Sequence, residues 1–369
     1  MGLGRGLKHS SITPDNLFNP FSSEFMRTLS YAEAISEGTV QAMERDPSVF
    51  IAGIAVDYPS GIFGTTTEAF KRFGKARVFD TPAMENALTG IAIGAAAVGK
   101  RPIIVHPRND FMFLAFDQLI NLAAKWKYMY GGRAGTVPIV VRAVVGRGWG
   151  QGATHSQSLQ APLAHFPGLT VLMPTSPNDA KGLMMAALQH DEPVVILEHR
   201  SLFGLKGEVP EEPFVVPIGK ADVVRAGTDL TVVATSFMTV EALRAAEELA
   251  KDGISLEVID LRSIRPLDEA TILASVKKTG RLIVTDTSWE MCGVVSEVAA
   301  LAAEKAFHSL KAPVRRIALP NCPAPVSQAL EEVFYPKAST IAKAALVMLG
   351  RTSSSLGKID LVDDFKGPY

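Results

Sequence analysis

One carboxylate in an otherwise apolar stretch and one histidine at the end of a glycine-rich loop carry most of the chemistry expected of this sequence. Glu85 lies in Phe79-Asp-Thr-Pro-Ala-Met-Glu-Asn-Ala-Leu-Thr-Gly-Ile-Ala-Ile-Gly-Ala-Ala-Ala-Val98, where nearly every later residue is apolar or tiny. Gly90, Ala92, Gly94, Ala95, Ala96 and Ala97 let a helix approach another backbone closely, so the helix is expected to be buried on most sides, with its acid. A buried carboxylate needs a partner or a task; the plain alternative is an acid held by the positive end of the helix dipole. Thr81-Pro82 is expected to open the helix, as a hydroxyl cap followed by a proline whose missing N–H costs nothing there.

The histidine is His155, at the end of Gly146-Arg-Gly-Trp-Gly-Gln-Gly-Ala-Thr-His-Ser156. That loop has neither the G-x-x-x-x-G-K-[ST] pattern nor a G-x-G-x-x-G with its following acid, so it is not read as a nucleotide loop. Its glycines instead allow the chain to run close to a ligand or a neighbouring backbone. His155 follows a parallel strand, at the sheet edge where α/β proteins bind ligands. Glu85 follows the Arg77–Asp80 strand at the same kind of position, and Phe111, after the Pro102–Val105 strand, shares that edge unless it is a core aromatic. His165, His190 and His199 read as surface or helix-end residues, and no pair of histidines has metal-ligand spacing. Arg262 and Arg265 flank a strand end and are expected to pair with Asp260 or Asp268.

The elements that must position these groups are α/β throughout. The chain has 369 residues, 47% of them hydrophobic, enough for two domains. Its 37 basic and 38 acidic residues leave a net charge of −1, which gives no footprint for nucleic acid or a membrane surface. Two cysteines, Cys292 and Cys322, make no disulfide framework, and a reducing, cytoplasmic setting is expected. The uncharged run from Ala87 to Gly99 is too short to span a bilayer. Residues 1–25 read as an extension and 26–203 as a first domain. The stretch 204–217 reads as a linker, 218–350 as a second domain and 351–369 as a polar tail. Short apolar runs such as Val49–Val56 and Val137–Val144, alternating with helical spacing, predict parallel strands covered on both faces. The expected fold is therefore two three-layer α/β domains with mainly parallel sheets. A helix is expected over 30–44 and a long one over 113–130.

Several spaced motifs, taken in order, give the sequence a family resemblance. They are Asp80-Thr-Pro-Ala-Met-Glu85, Phe111 with Ala115-Phe-Asp-Gln118, Asn121-Leu-Ala-Ala-Lys125, Tyr130-Gly-Gly132 and Val137-Pro-Ile-Val140. His155-Ser-Gln157, Pro167-Gly-Leu169, Asp179-Ala-Lys-Gly182, Asp260-Leu-Arg-Ser-Ile-Arg-Pro-Leu-Asp268 and Cys322-Pro-Ala-Pro325 continue the series. From about Leu29 to Leu349 the chain resembles the β subunit of the thiamine-diphosphate-dependent 2-oxo acid dehydrogenase E1 component, in the transketolase-like superfamily. The resemblance implies a pyrimidine-binding domain followed by a transketolase C-terminal domain. It implies that Glu85 hydrogen-bonds the cofactor's pyrimidine N1′ and so promotes ylid formation, that Phe111 packs on the pyrimidine, and that His155 lines the channel where substrate and lipoyl group meet. It implies a potassium site at Ile139, Ala187, His190 and Glu192. The superfamily's Gly-Asp-Gly motif for the diphosphate and Mg²⁺ is missing, which implies an α subunit holding the Mg²⁺ and half of the cofactor in an α2β2 heterotetramer. A lipoylated E2 acyltransferase is the implied acceptor.

Departures from the family pattern keep two alternatives open. Ile54 and Ala55 stand where an acidic pair is usual, His106-Pro-Arg108 replaces a glutamate and aromatic residues, and His190 stands at a usual aspartate. His106 and Arg108 are read as lining a site for a more polar or anionic substrate. One alternative is a split transketolase-like acyl or ketol transferase without a lipoyl partner; the other is a non-catalytic structural subunit, against which the presence of Glu85, Phe111 and His155 argues.

Overall fold

The computed structural model describes residues 26–146 and 150–352. The extension at 1–25, part of the glycine loop and the tail beyond 352 lie outside the described residues.

The larger sheet has seven strands. In order across it they are Ser263–Arg265, Thr170–Leu172, Val194–His199, Val140–Val145, Arg101–His106, Val49–Gly53 and Val78–Asp80. The last six run parallel, and their near-continuous apolar sequences are explained by burial on both faces. One core, with Tyr31, Ile35, Ile51, Ile103, Leu183 and Ile196, lies under the Tyr31–Arg45 and Pro177–Gln189 helices. The other, with Leu88, Ala92, Ile104, Leu119 and Val141, lies under the Glu85–Ala97 helix and continues into the second domain at Val233, Ile259 and Val284. The second sheet has the order Arg315–Leu319, Leu282–Trp289, Leu230–Ala234, Leu256–Asp260, Asp222–Arg225, with the last strand antiparallel. No helix among the described residues is long and apolar enough to cross a membrane.

Local signals hold where they are strong. Ser30 caps the first helix through a reciprocal capping box with Glu33, as the Ser-x-x-Glu spacing requires. Elsewhere the structure corrects the reading. Thr81 does not cap a helix: its N–H donates to the Gly53 carbonyl at 3.1 Å, prolonging the strand pairing, and the helix starts at Glu85. The segment expected as one helix from Phe113 to Tyr130 begins at Asn109, tightens at Phe113–Ala115 and widens to π-type bonding over Asp117–Ala123. The small-residue helix is not buried on most sides in the single chain. Ala87, Ile91, Gly94 and Val98 form an open stripe, with Ile91 67% and Val98 81% exposed.

The stretch at 204–217 is no free linker, since Lys206–Pro210 pairs antiparallel with Met26–Ser30. Ser263–Arg265, from the second domain, pairs antiparallel with Thr170–Leu172 and finishes the first domain's sheet.

Candidate active site

The carboxyl ends of the parallel strands bring the candidate residues to one edge. Glu85 is the first residue of its helix, 8% exposed, and its carboxylate has no hydrogen-bond or ion-pair partner among the described residues. The position at a helix N-terminus favours a negative charge. Asn86 donates from Nδ2 to the Leu114 carbonyl at 3.1 Å and accepts from Gln118 at 3.4 Å, which ties this helix to the segment carrying Phe111.

Phe111 is not a core aromatic: 41% of it is exposed, and its ring meets His155 edge-on with centroids 5.3 Å apart and planes at 79°. The Thr154 hydroxyl lies 2.9 Å from His155 Nδ1. The two loops are held in register by residues that sequence reasoning missed. Asn109 donates to the Gln157 carbonyl at 2.9 Å and accepts from the Leu159 N–H at 3.0 Å. Asp110 Oδ1 accepts from the Gln157 N–H at 3.2 Å and from its side-chain amide at 2.9 Å. A carboxylate accepting two bonds from one residue fixes that residue's backbone and, through it, His155 two positions away.

His106 ends the Arg101–His106 strand. It is 1% exposed, Nε2 has no partner among the described residues, and burial pushes its pKa down to about 4, so it is neutral near pH 7. Arg108 is 8% exposed with Nη1 buried and unpartnered. Burial, with Arg200 close by, lowers its pKa to about 10 against the opposing pull of Asp110. Arg200 was not singled out from the sequence. It follows the Val194–His199 strand, donates to Gln151 Oε1 at 3.2 Å and stacks its guanidinium 5.0 Å from the Phe63 centroid.

Further charges lie buried behind this edge. Arg142 and Glu198, in neighbouring strands, form a two-pronged ion pair at 2.6 and 2.8 Å with both side chains 1% exposed. Arg262 pairs across the domains with Asp179 at 2.9 Å rather than with Asp268, and its N–H donates to Asp260. Burial, reinforced by Asp179, raises Asp260 to about 7. Arg265 bonds the Ala164 carbonyl instead of an acid. His199 is buried, not at the surface, and stacks on Phe237 at 5.1 Å.

The corner assigned to potassium is served by a side-chain cation. Arg101 Nη1 donates to the Leu188 and His190 carbonyls at 3.1 and 3.0 Å, and Nη2 pairs with Asp191 at 2.7 Å. The Ala187 and Ile139 carbonyls accept from the N–H groups of His190 and Val194, and Glu192 pairs with Lys127. These groups do not fit an additional bound cation.

Two fused α/β domains with an acid, an aromatic and a histidine at one sheet edge define a transketolase-like architecture, and comparisons agree. Residues 27–206 match the transketolase pyrimidine-binding domain, and 219–341 match the transketolase C-terminal domain. The solved structure of a split-gene transketolase, an inactive β4 tetramer, superposes with a TM-score of 0.70 at 24% identity over 88% of this chain and 99% of that one. The chain is 44% identical to the β subunit of acetoin:2,6-dichlorophenolindophenol oxidoreductase from Cupriavidus necator, over 86% of this chain and 97% of that protein. It is 42% identical to the β subunit of 2-oxoisovalerate dehydrogenase from Bacillus subtilis, over 84% and 95% of the two chains. It is 39% identical to the pyruvate dehydrogenase E1 β subunit of the same organism, over 88% and 99%. The chain belongs to the E1 β subunits of the thiamine-dependent 2-oxo acid dehydrogenases, within the transketolase-like family.

Proposed function

We propose that this chain is the β half of an E1 enzyme that decarboxylates a 2-oxo acid and hands the acyl unit to a lipoyl group on an E2 protein. The observation that carries the reading is Glu85, a buried carboxylate with no partner among the described residues, at the start of a helix that Asn86 ties to the segment bearing the exposed ring of Phe111. An acid lacking a donor and a free aromatic face fit a flat heteroaromatic ring with a ring nitrogen, as in the aminopyrimidine of thiamine diphosphate. When bound, that cofactor supplies the electron sink for the reaction.

The chain's own residues then have separate tasks. Glu85 holds a proton against the ring nitrogen, and Phe111 orients the ring by packing on it. His155, fixed through Gln157 by Asp110, exchanges a proton with substrate or acceptor through Nε2, while the Thr154 hydroxyl engages Nδ1. The substrate's C1–C2 bond breaks with loss of CO2, and the electron pair left on the carbonyl carbon reduces the lipoyl disulfide as the acyl unit transfers. His106 and Arg108 line the substrate side.

This chain has no Gly-Asp-Gly for Mg²⁺ and diphosphate. An α subunit supplies that half of the site in an α2β2 assembly, and the open Ala87–Ile91–Gly94–Val98 stripe suits its contact with another subunit. Potassium has no part in the proposal. Two exposed free cysteines suit the cytoplasm.

The test is Glu85→Gln in the complex reconstituted with its α partner, assayed by reduction of a redox dye with a panel of 2-oxo acids. Turnover is expected to disappear while assembly, followed by size-exclusion chromatography, is retained. Activity equal to wild type would refute the assignment.

A further inference from the structure

The segment that follows His155 belongs to the first domain, but much of what fixes it belongs to the second. Ser158 is gripped at two points by the end of the Leu282–Trp289 strand. Its hydroxyl lies 3.1 Å from the Thr287 hydroxyl, and its carbonyl accepts from the Ser288 hydroxyl at 3.0 Å. Gln160 donates from Nε2 to Asp286 Oδ1 at 2.7 Å. On the other side of the histidine, Gly152 faces Val326 so closely that an added Cβ would stand 2.5 Å from Val326 Cγ2. His155 is bracketed, before and after, by the second domain.

These bonds are made out of reach of bulk water. Ser158, Gln160, Asp286 and Ser288 are all at most 3% exposed. Breaking one of them would leave a buried donor or acceptor unsatisfied, so the clamp resists distortion. Asp286 Oδ1 also accepts from the Thr287 N–H at 2.8 Å and from the Thr235 hydroxyl, which immobilises the acid itself. Close packing does not share the task there, because a cavity of about 70 Å³ lined by Ser156, Asp286 and Thr287 lies between the domains. Beside a void, directional bonds hold the segment.

We infer that Asp286, Thr287 and Ser288 are positioning residues for His155, so that the second domain sets the geometry of proton exchange. This rests on the role given to His155 above. Asn109 and Asp110 of the first domain hold Gln157 and Leu159, while the second domain holds Ser158 and Gln160 between and beyond them. With successive residues tied to alternate domains, the segment can neither slide nor tilt without breaking buried bonds. A displacement of about 1 Å in a proton-transfer group costs on the order of a hundredfold in rate, so the clamp bears on catalysis as well as on stability. Asp286 acts here as an acceptor, and an asparagine oxygen could take its place.

The experiment uses the complex reconstituted with its α partner and the redox-dye assay, with the 2-oxo acid of the panel that turns over fastest. Thr287→Val combined with Ser288→Ala, and separately Asp286→Ala, are each expected to lower kcat roughly ten- to a hundredfold. Asp286→Asn keeps the acceptor and is expected to stay within about threefold of wild type. Thiamine diphosphate affinity, measured by titration calorimetry with Mg²⁺ present, is expected to stay at the wild-type value, since Glu85 and Phe111 lie on other segments. In a His155→Ala background, assayed at raised enzyme concentration, adding Thr287→Val and Ser288→Ala should lower the residual kcat by less than about twofold, because residues acting through one group are not additive. A further loss of about tenfold in that background would overturn the inference. So would wild-type turnover by the Thr287→Val, Ser288→Ala enzyme, or loss of cofactor affinity in step with kcat, which would reduce these residues to domain packing. If His155→Ala turns over at the wild-type rate, the histidine's role falls and the inference with it; if Glu85→Gln does, the E1 reading falls. An impaired His155→Ala beside an unaffected Thr287→Val, Ser288→Ala enzyme removes the positioning role alone.

Discussion

Replacing His106 by Phe should remove a specific share of the protein's acid sensitivity. His106 is 1% exposed, its Nε2 has no partner among the described residues, and burial lowers its pKa from 6.5 to about 4. Because the folded value lies below the unfolded one, the folded state binds fewer protons than the unfolded chain between these limits. The stability this confers is complete above 6.5 and is lost as the pH falls towards 4. At 1.36 kcal/mol per unit, the part lost between about pH 7 and about pH 4.5 is about 2.5 kcal/mol. His106→Phe has no such proton to bind, so its stability relative to wild type should improve by that amount over the interval. Urea denaturation at the two pH values measures this, provided the m-values agree. Subtracting the variant cancels other titrations, including the opposite slope from Asp260, whose pKa is raised to about 7. A gap between the proteins that stays constant within about 0.5 kcal/mol would show that His106 is charged in the fold, against the reasoning from its burial.

Two further outcomes follow from the buried charges. Arg142→Met leaves Glu198 buried without its partner between the sheet and the helices that cover it and should cost roughly 3–5 kcal/mol, whereas Arg142→Met with Glu198→Leu should recover most of it in the same denaturation assay. Exchanging potassium for sodium or choline should leave the melting temperature unchanged, because Arg101 already serves the Leu188 and His190 carbonyls. Arg101→Ala should lower stability by about 1–3 kcal/mol, towards the small end because the side chain is partly solvated.

The sheet strands were readable because a parallel strand covered on both faces can carry little but apolar residues, as in Val49–Gly53 and Val140–Val145. Glu85 was readable for the opposite reason, a charge in a segment otherwise free of it. Arg142 and Glu198 carry the same signal, one charge in Val-Val-Arg-Ala-Val-Val and one in Val-Val-Ile-Leu-Glu-His, and could have been found by it. Arg200 could not, since its approach to Arg108 depends on the order in which strands pair rather than on any spacing along the chain. Thr81 misled because a hydroxyl before proline is a helix cap only if the backbone leaves the sheet there, and its N–H stays bonded to Gly53. The pairing of Met26–Ser30 with Lys206–Pro210, and the Arg262–Asp179 bond between domains, are long-range choices with no local signature.

The Ser263–Arg265 strand has a consequence for how the chain is made. Thr170–Leu172 pairs on one side with Val194–His199 and on the other only with that late segment. While the ribosome has delivered no more than the first 217 residues, the larger sheet therefore presents a row of unpaired peptide groups on an apolar strand, the kind of edge that neighbouring chains adopt as a template. A truncated first domain should accordingly be prone to aggregate, and so should a chain stalled before residue 263. Arrival of the second domain closes that edge as well as adding its own sheet.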